Sequence, residues 1–283
     1  MKRVLITGKG SYIGTKVQEW LMKYPDKYQV DVLDMIGDEW KKYDFSGYDV
    51  VFHVAGIAHR KNVPIKQYKQ VNHILAVNVA KKASDAGVKQ FIFMSSGAVY
   101  SQSDRKHKTI IVDENTPLTP STPYGISKMK AELELNELKT EMNIAMIRPP
   151  MVYGPGAKGN YNSLSKLAKK TPIFPKINNK RSMIYIDNLC EFARLLVDLG
   201  EGGLFLPQNK EYVKVSELVK QIADCNGKRI MLTPIFNWLV AIFSHIINSI
   251  NKVFGDFAYK KIDYFEDVYQ IVDFENSIKN TEK

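Results

Sequence analysis

The sequence predicts an α/β protein: a doubly wound parallel sheet with a smaller lobe towards the C-terminus. Three observations carry that prediction. The chain opens with a strand, a glycine-rich turn and a helical pattern. Short apolar runs then alternate with helical patterns through the first half of the 283 residues. Alternation of this kind builds a parallel sheet with right-handed crossovers. Finally, the polar and glycine positions that stand out all fall just after predicted strands, where ligands of such sheets sit.

Lys2 to Thr7 reads as a buried strand, β-branched and apolar. Thr7-Gly8-Lys9-Gly10-Ser11-Tyr12-Ile13-Gly14 follows, then a helical pattern from Thr15 to Met22. Glycines between a strand and a helix let backbone N–H groups meet a pyrophosphate at the helix N-terminus, so this is a Rossmann-type dinucleotide turn. Its spacing is G-x-G-x-x-x-G, with Ser11 where a further glycine might be expected. Pro25 ends the helix. Gln29 to Leu33 is a second strand, and Asp34 at its end lies 20 residues after Gly14. A carboxylate there can bind an adenosine ribose 2′-OH, which favours NAD. Lys9 could meet a 2′-phosphate, so NADP stays open.

Asp49 to Val54 is a third strand, and Ala55-Gly56 would let the backbone lie against a flat cofactor. His53 and His59 read as structural or solvated. Pro64 to Ser84 is a long helix stopped by Gly87, and Gln90 to Ser95 is a fourth strand leading into Ser96. A polar, proline-bearing loop at 101–122 delivers the chain to Pro123-Tyr124-Gly125-Ile126-Ser127-Lys128. Here a phenol and an ammonium stand at i and i+4 on one helical face. A cation favours the phenolate, so the pair is a candidate acid/base device. Ile144 to Ile147 is the next strand, ending at Arg148-Pro149.

The composition then shifts. No Asp or Glu occurs from Asn143 to Ile186, while Lys158, Lys166, Lys169, Lys170, Lys176, Lys180 and Arg181 do. Such a span is a solvated face or a pocket for a phosphate-rich ligand. Lacking regularly interleaved aromatics, it does not resemble a nucleic-acid track. Ser182 to Leu199 reads as strand and helix, Ser216 as an N-cap, and Asp273 to Lys283 as a terminal helix. Asn237 to Phe254 is apolar at helical spacing but too polar and short for a membrane span. It reads as an amphipathic helix covering the second lobe, with a dimer face or membrane-surface contact as alternatives. The dinucleotide-binding lobe is set at 1–155 with a return from about 182–207, and the substrate lobe at 156–181 and 208–283. The net charge of +10 favours an anionic partner, and two cysteines without a signal peptide fit a cytoplasmic protein. No metal-ligand pattern is present.

Taken together, these residues resemble the extended short-chain dehydrogenases/reductases, the NAD-dependent sugar epimerases and dehydratases. The matching pieces are Thr7-Gly8 with Ile13-Gly14, Asp34, Ser95-Ser96 with Val99-Tyr100, Tyr124 with Lys128, Arg148-Pro149 with Val152 to Pro155, and Arg181-Ser182 with Ile184 to Asp187. They run in the family's order through about residue 190. The resemblance implies Tyr124 as general acid/base. Lys128 would hold the nicotinamide ribose and lower the tyrosine pKa, and Ser96 would bond the reacting sugar oxygen. Gly8, Gly10, Ser11, Tyr12, Ile13, Gly14, Asp34, Asp44, Ala55, Gly56 and Pro149 would hold NAD. Asn160 and Arg181 would hold a nucleoside-diphosphate sugar, with a homodimer formed around the Tyr124 helix. Family dehydratases carry an acidic pair just after the active hydroxyl; here those places are Gly97 and Ala98. Lys158-Gly159-Asn160 resembles a branch from bacterial surface-polysaccharide pathways. The expectation is therefore a 4-epimerase or 4-keto reductase of a UDP-hexose, with a dehydratase or a non-catalytic cofactor-binding scaffold as alternatives.

Overall fold

The computed structural model describes residues 1–58, 60, 62–100, 111–235, 237, 238 and 254–283. His59, half of the 101–122 loop and most of the predicted 237–254 helix lie outside the described residues.

Six parallel strands form the central sheet: β1 (Lys2–Thr7), β2 (Tyr28–Leu33), β3 (Val50–His53), β4 (Gln90–Met94), β6 (Asn143–Ile147) and β10 (Gly203–Phe205). Their order is β10-β6-β4-β3-β1-β2. The direction of winding reverses between β1 and β3, which creates the crevice where ligands of open α/β sheets bind. The register aligns the strand ends there: Thr7 lies beside both Leu33 and His53, and His53 beside Phe93.

Alternate residues of each strand enter different cores, because a parallel sheet is covered on both faces. Val4, Ile6, Val50, Phe52, Ile92 and Ile147 face α1 (Tyr12–Leu21) and α6 (Ile186–Leu199). Leu5, Val51, Phe91, Phe93, Ile144 and Met146 face α3 (Leu75–Asp85) and α4 (Pro123–Glu137). The first of these cores runs on into the later part of the chain. It takes in Tyr161 and Leu164 of α5 (Asn160–Ala168), Phe174 of β8 (Ile173–Pro175), Leu218 of α7 (Val215–Cys225) and Ile278 of α8 (Phe274–Glu282). Three two-stranded parallel ladders dress this region: β7 (Met151–Tyr153) with β9 (Met183–Tyr185), β8 with β11 (Met231–Thr233), and β5 (Ile111–Val112) with β12 (Ala258–Tyr259).

Two local expectations change. The helix read from 64 to 84 is broken by a π turn, Lys69–Ile74, between α2 (Ile65–Tyr68) and α3. The wide turn buries both Asn72 and His73. Ser216 is not an N-cap: it lies inside α7, whose cap is Lys214, and its hydroxyl accepts from Ile177 N (2.8 Å) and donates to Pro175 O (2.9 Å). Between β2 and β3 no further strand forms. The chain drops from Asp34 towards the amino ends of the strands, where Lys82 Nζ donates to Lys41 O.

The helix α4 is tied to the sheet by a buried ion pair. Arg148 Nε donates to both Glu132 oxygens (3.0 and 3.1 Å), and Nη2 donates to Oε2 at 2.5 Å. The Ser95 hydroxyl adds a bond to Glu132, and Arg148 Nη1 reaches Tyr100 Oη at 2.5 Å. Burial opposes the charge on Arg148, yet Glu132 more than offsets it and the guanidinium pKa is raised. Removing one partner of such a pair leaves an uncompensated buried charge. Glu132→Ala should therefore lose about 3–5 kcal/mol in urea unfolding; a loss below about 1 kcal/mol, the value of an exposed pair, would contradict this.

Candidate active site

The glycine turn leaves β1 at Gly8, whose φ is +123°. A Cβ there would also stand 2.6 Å from Ala55 N, so the turn packs directly on the backbone that follows β3. Ser11 has extended backbone (φ −72°, ψ 140°) and caps α1, its hydroxyl accepting from Gly14 N at 3.2 Å. No glycine is needed at position 11, because the left-handed step falls on Gly10. The first turn of α1, with Tyr12 and Ile13, contains no acidic residue. An anion is favoured at such an N-terminus. Asp34 is exposed at the end of β2 and accepts from Ile36 N (2.9 Å). Ala55 is buried and Gly56 exposed between the turn and α4.

Asp44 is not brought to these residues. Its carboxylate is taken by Ser46, through N (2.8 Å) and the hydroxyl (2.7 Å), and its charged neighbours are Lys82 and Arg3. Arg3 belongs to the start of β1, five residues before the glycine turn. Without a strand between β2 and β3, the chain has already left the ligand-binding edge when it reaches Asp44.

Pro123 at the first position of α4 and the Thr122 cap, whose hydroxyl accepts from Gly125 N (3.1 Å), start the helix beside Ser96. Ser96 itself caps a short 3-10 turn, Gly97–Val99, and Gly97 N donates to Pro149 O (2.9 Å). The Ser96 hydroxyl is hydrogen-bonded to the partly buried Tyr124 phenol. Burial raises the Tyr124 pKa, the Ser96 bond lowers it, and the Tyr68 phenol raises it again, leaving the net value above the ordinary one. Tyr68 packs edge-on to Tyr124 with ring centroids 6.4 Å apart.

Lys128 is buried one turn further on. Its Nζ donates to Met94 O at 2.7 Å and lies 4.4 Å from the centre of the Phe93 ring. In this structure the ammonium is held under the end of β4, and burial dominates the phenol. The lysine pKa is itself pushed down to about 8 by burial, against an opposing pull from Glu132. A Cβ at Gly56 would meet Asn72 Oδ1 at 3.2 Å and Lys128 Nζ at 3.6 Å. The lysine thus reaches the backbone that faces the glycine turn, as a group that holds a ribose must. Gly8, Gly14, Gly56 and Lys128 together make a cradle that fits a dinucleotide.

Two supporting residues give no sequence signal or only a faint one. Asn72 accepts from Ile57 N (2.7 Å) and donates to Ile57 O (3.1 Å) and Ser127 Oγ (3.2 Å), locking the loop after β3 to α4. Nothing in the sequence marks it. Glu132 continues the 124, 128 spacing by one turn and was legible to that extent. His53 is buried, bonded to Thr7 through Nδ1 (2.7 Å), and pushed down to about 3 by burial. It stays neutral and structural at physiological pH.

On the other side of Ser96, Phe257 and Tyr259 close the space beside Gly97. A Cβ there would stand 2.4 Å from Tyr259 Oη, which itself donates to Arg148 O (2.9 Å). Arg181 is buried, pushed down to about 10 by burial with Asp256 opposing, and donates from Nη1 to Gly255 O (2.6 Å). Asn160 is exposed as the first residue of α5, after Gly159 (φ +117°). Among the described residues no group of three or more His, Cys, Asp or Glu could hold a metal.

The NAD dependent epimerase/dehydratase family model matches residues 4–204. A UDP-glucose 4-epimerase from Vibrio cholerae is 30% identical over 271 residues, 87% of this chain and 82% of that protein. An N-acetyl-alpha-D-glucosaminyl-diphospho-ditrans,octacis-undecaprenol 4-epimerase from Escherichia coli O157:H7 is 32% identical over 248 residues, 80% of this chain and 73% of that protein. The UDP-N-acetylglucosamine 4-epimerase structure from Bacillus cereus shares the fold, with a TM-score of 0.74 at 15% identity over 100% of this chain and 98% of that one. The chain belongs to the NAD-dependent epimerase/dehydratase family, and NAD is its cofactor.

The low lysine pKa has a consequence for stability. The folded-state value of about 8 lies below the ordinary 10.5, so the folded state loses its proton first as pH rises. The cost of burying the charge is present in full below about pH 8 and is relieved between about 8 and 10.5. Wild type should gain up to about 3 kcal/mol relative to Lys128→Met across that window, measured by chemical denaturation at each pH. A difference that does not change with pH would contradict it.

Proposed function

We propose that the enzyme passes a hydride between bound NAD and C4 of a hexose carried on a diphosphate, as a 4-epimerase or a 4-keto reductase. The observation that carries this reading is the hydrogen bond between Ser96 and Tyr124 at the end of β4, with Lys128 one helical turn on and bonded to Met94 O. The nicotinamide, when bound, supplies the hydride acceptor or donor. Ser96 orients the C4 oxygen by hydrogen bonding. Tyr124, bonded to Ser96, takes the proton from that oxygen during oxidation and returns it during reduction. Lys128 holds the ribose and, once its charge lies beside the phenol, favours the phenolate. Asn160 and Arg181 hold the diphosphate, in a span without acidic residues. UDP is the favoured carrier, following the Vibrio relative. The Escherichia relative is named for a sugar joined by a diphosphate to undecaprenol, so the same carbon is addressed on a different carrier.

A dehydratase is disfavoured by the closed space at Gly97. An acidic side chain there would collide with Tyr259, and the elimination would lack its second catalyst.

Tyr124→Phe should lower turnover of UDP-hexoses by about 10²–10⁴-fold, the usual range for a general acid/base, while leaving the far-UV spectrum unchanged. Undiminished turnover would overturn the assignment. Denaturing the purified protein sorts the two outcomes: stoichiometric release of NAD indicates an epimerase, and a protein that turns over only with added NADH or NADPH a reductase.

A further inference from the structure

One face of the later lobe has a composition that the active site does not use. The β8–β11 ladder places Ile173 beside Met231, and both side chains are exposed while their neighbour Phe174 is buried. Ile235 and Trp238, which follow β11 in the chain, are also exposed, as is Leu167 of α5. The five are between 38 and 68% exposed, with Trp238 at 61%. Hydrogen bonds hold the segments together. Met231 N donates to Pro172 O (2.9 Å), Lys176 N to Thr233 O (2.9 Å), and Asn237 Nδ2 to Lys176 O (2.8 Å).

Charge is segregated around it. Exposed Lys166, Lys170, Lys176, Lys228 and Arg229 flank the apolar residues. No Asp or Glu occurs in 143–186, and none in 226–255. The β8–β11 pairing joins residues 173–175 of the first span to 231–233 of the second. Glu282 of α8 pairs with Lys169 (2.9 Å) from beneath, at the margin of the face.

We propose that this face rests on an anionic lipid bilayer. Apolar side chains with a tryptophan among them enter the headgroup boundary, and a ring of lysines meets the lipid phosphates. A protein partner fits less well, because protein interfaces are depleted of lysine. A nucleic-acid strand would call for aromatic platforms along a groove, and among these described exposed residues Trp238 is the one aromatic. The α5 helix begins at Asn160 and carries Leu167 near its end. The rise along α5 from Asn160 to Leu167 is about 10 Å, seven residues at 1.5 Å each. This docking holds whichever carrier bears the sugar, so its failure leaves the hydride-transfer reading intact.

The full-length protein is sedimented with vesicles of phosphatidylcholine alone and of an equal mixture of phosphatidylcholine and phosphatidylglycerol. Tryptophan emission is followed in parallel. Binding to the mixed vesicles only, with a blue shift that Trp238→Phe abolishes, is the expected result. Lys228→Glu with Arg229→Glu should weaken that binding by at least about tenfold and leave turnover of a soluble UDP-hexose at the wild-type level. Equal binding to neutral vesicles, no binding to either, or undiminished binding by the double variant would overturn the proposal.

Discussion

The active-site helix depends on one buried ion pair. Arg148, at the end of β6, grips Glu132 in a fork, and Glu132 stands one turn beyond Lys128 and two beyond Tyr124. Ser95 completes the carboxylate's hydrogen bonding from the end of β4. The phenol, the ammonium and the serine hydroxyl are therefore referenced to two adjacent strand ends. Rigid elements of this kind hold catalytic groups more tightly than loops do. The pair contributes geometry more than stability, since desolvation consumes much of its attraction.

The same arrangement settles how charge is shared. Glu132 is committed to Arg148, so it only partly offsets the burial of Lys128. Lys128 in turn is held by Met94 O. The acid/base pair is assembled in position but not yet tuned, with the tyrosine above its ordinary pKa. From the other side, the returning segment with Phe257 and Tyr259 fills the place where an eliminating enzyme would need a carboxylate. In the proposed function, the preference against elimination thus rests on residues more than a hundred positions away from Ser96.

Much of this was legible in the amino-acid sequence. Near-continuous apolar strands announced a sheet covered on both faces, and each strand end carried its polar marker. Gly8, Ser96, Tyr124 and Lys128 converge because the strands that precede them are parallel and in register. What stayed hidden depends on long-range packing. The π turn at Lys69–Ile74 follows from the bonds Asn72 makes to Ile57 and Ser127, which no local pattern encodes. Asp44 was implied only by the family resemblance; its carboxylate is taken by Ser46, with Lys82 and Arg3 as its charged neighbours. Ser216 had a cap's identity and a helix start beside it; its hydroxyl is instead spent on the segment at 175–177.

In the proposed function a hydride passes between the nicotinamide and a sugar C4 within this site. Incubation with NAD and UDP-hexoses carrying deuterium at C4, followed by mass spectrometry of sugar, cofactor and water, tests it directly. The label is expected to stay on C4 of the product or to be found on the nicotinamide ring. Label released to water, or sugar converted with its proton exchanged at another carbon, would contradict it.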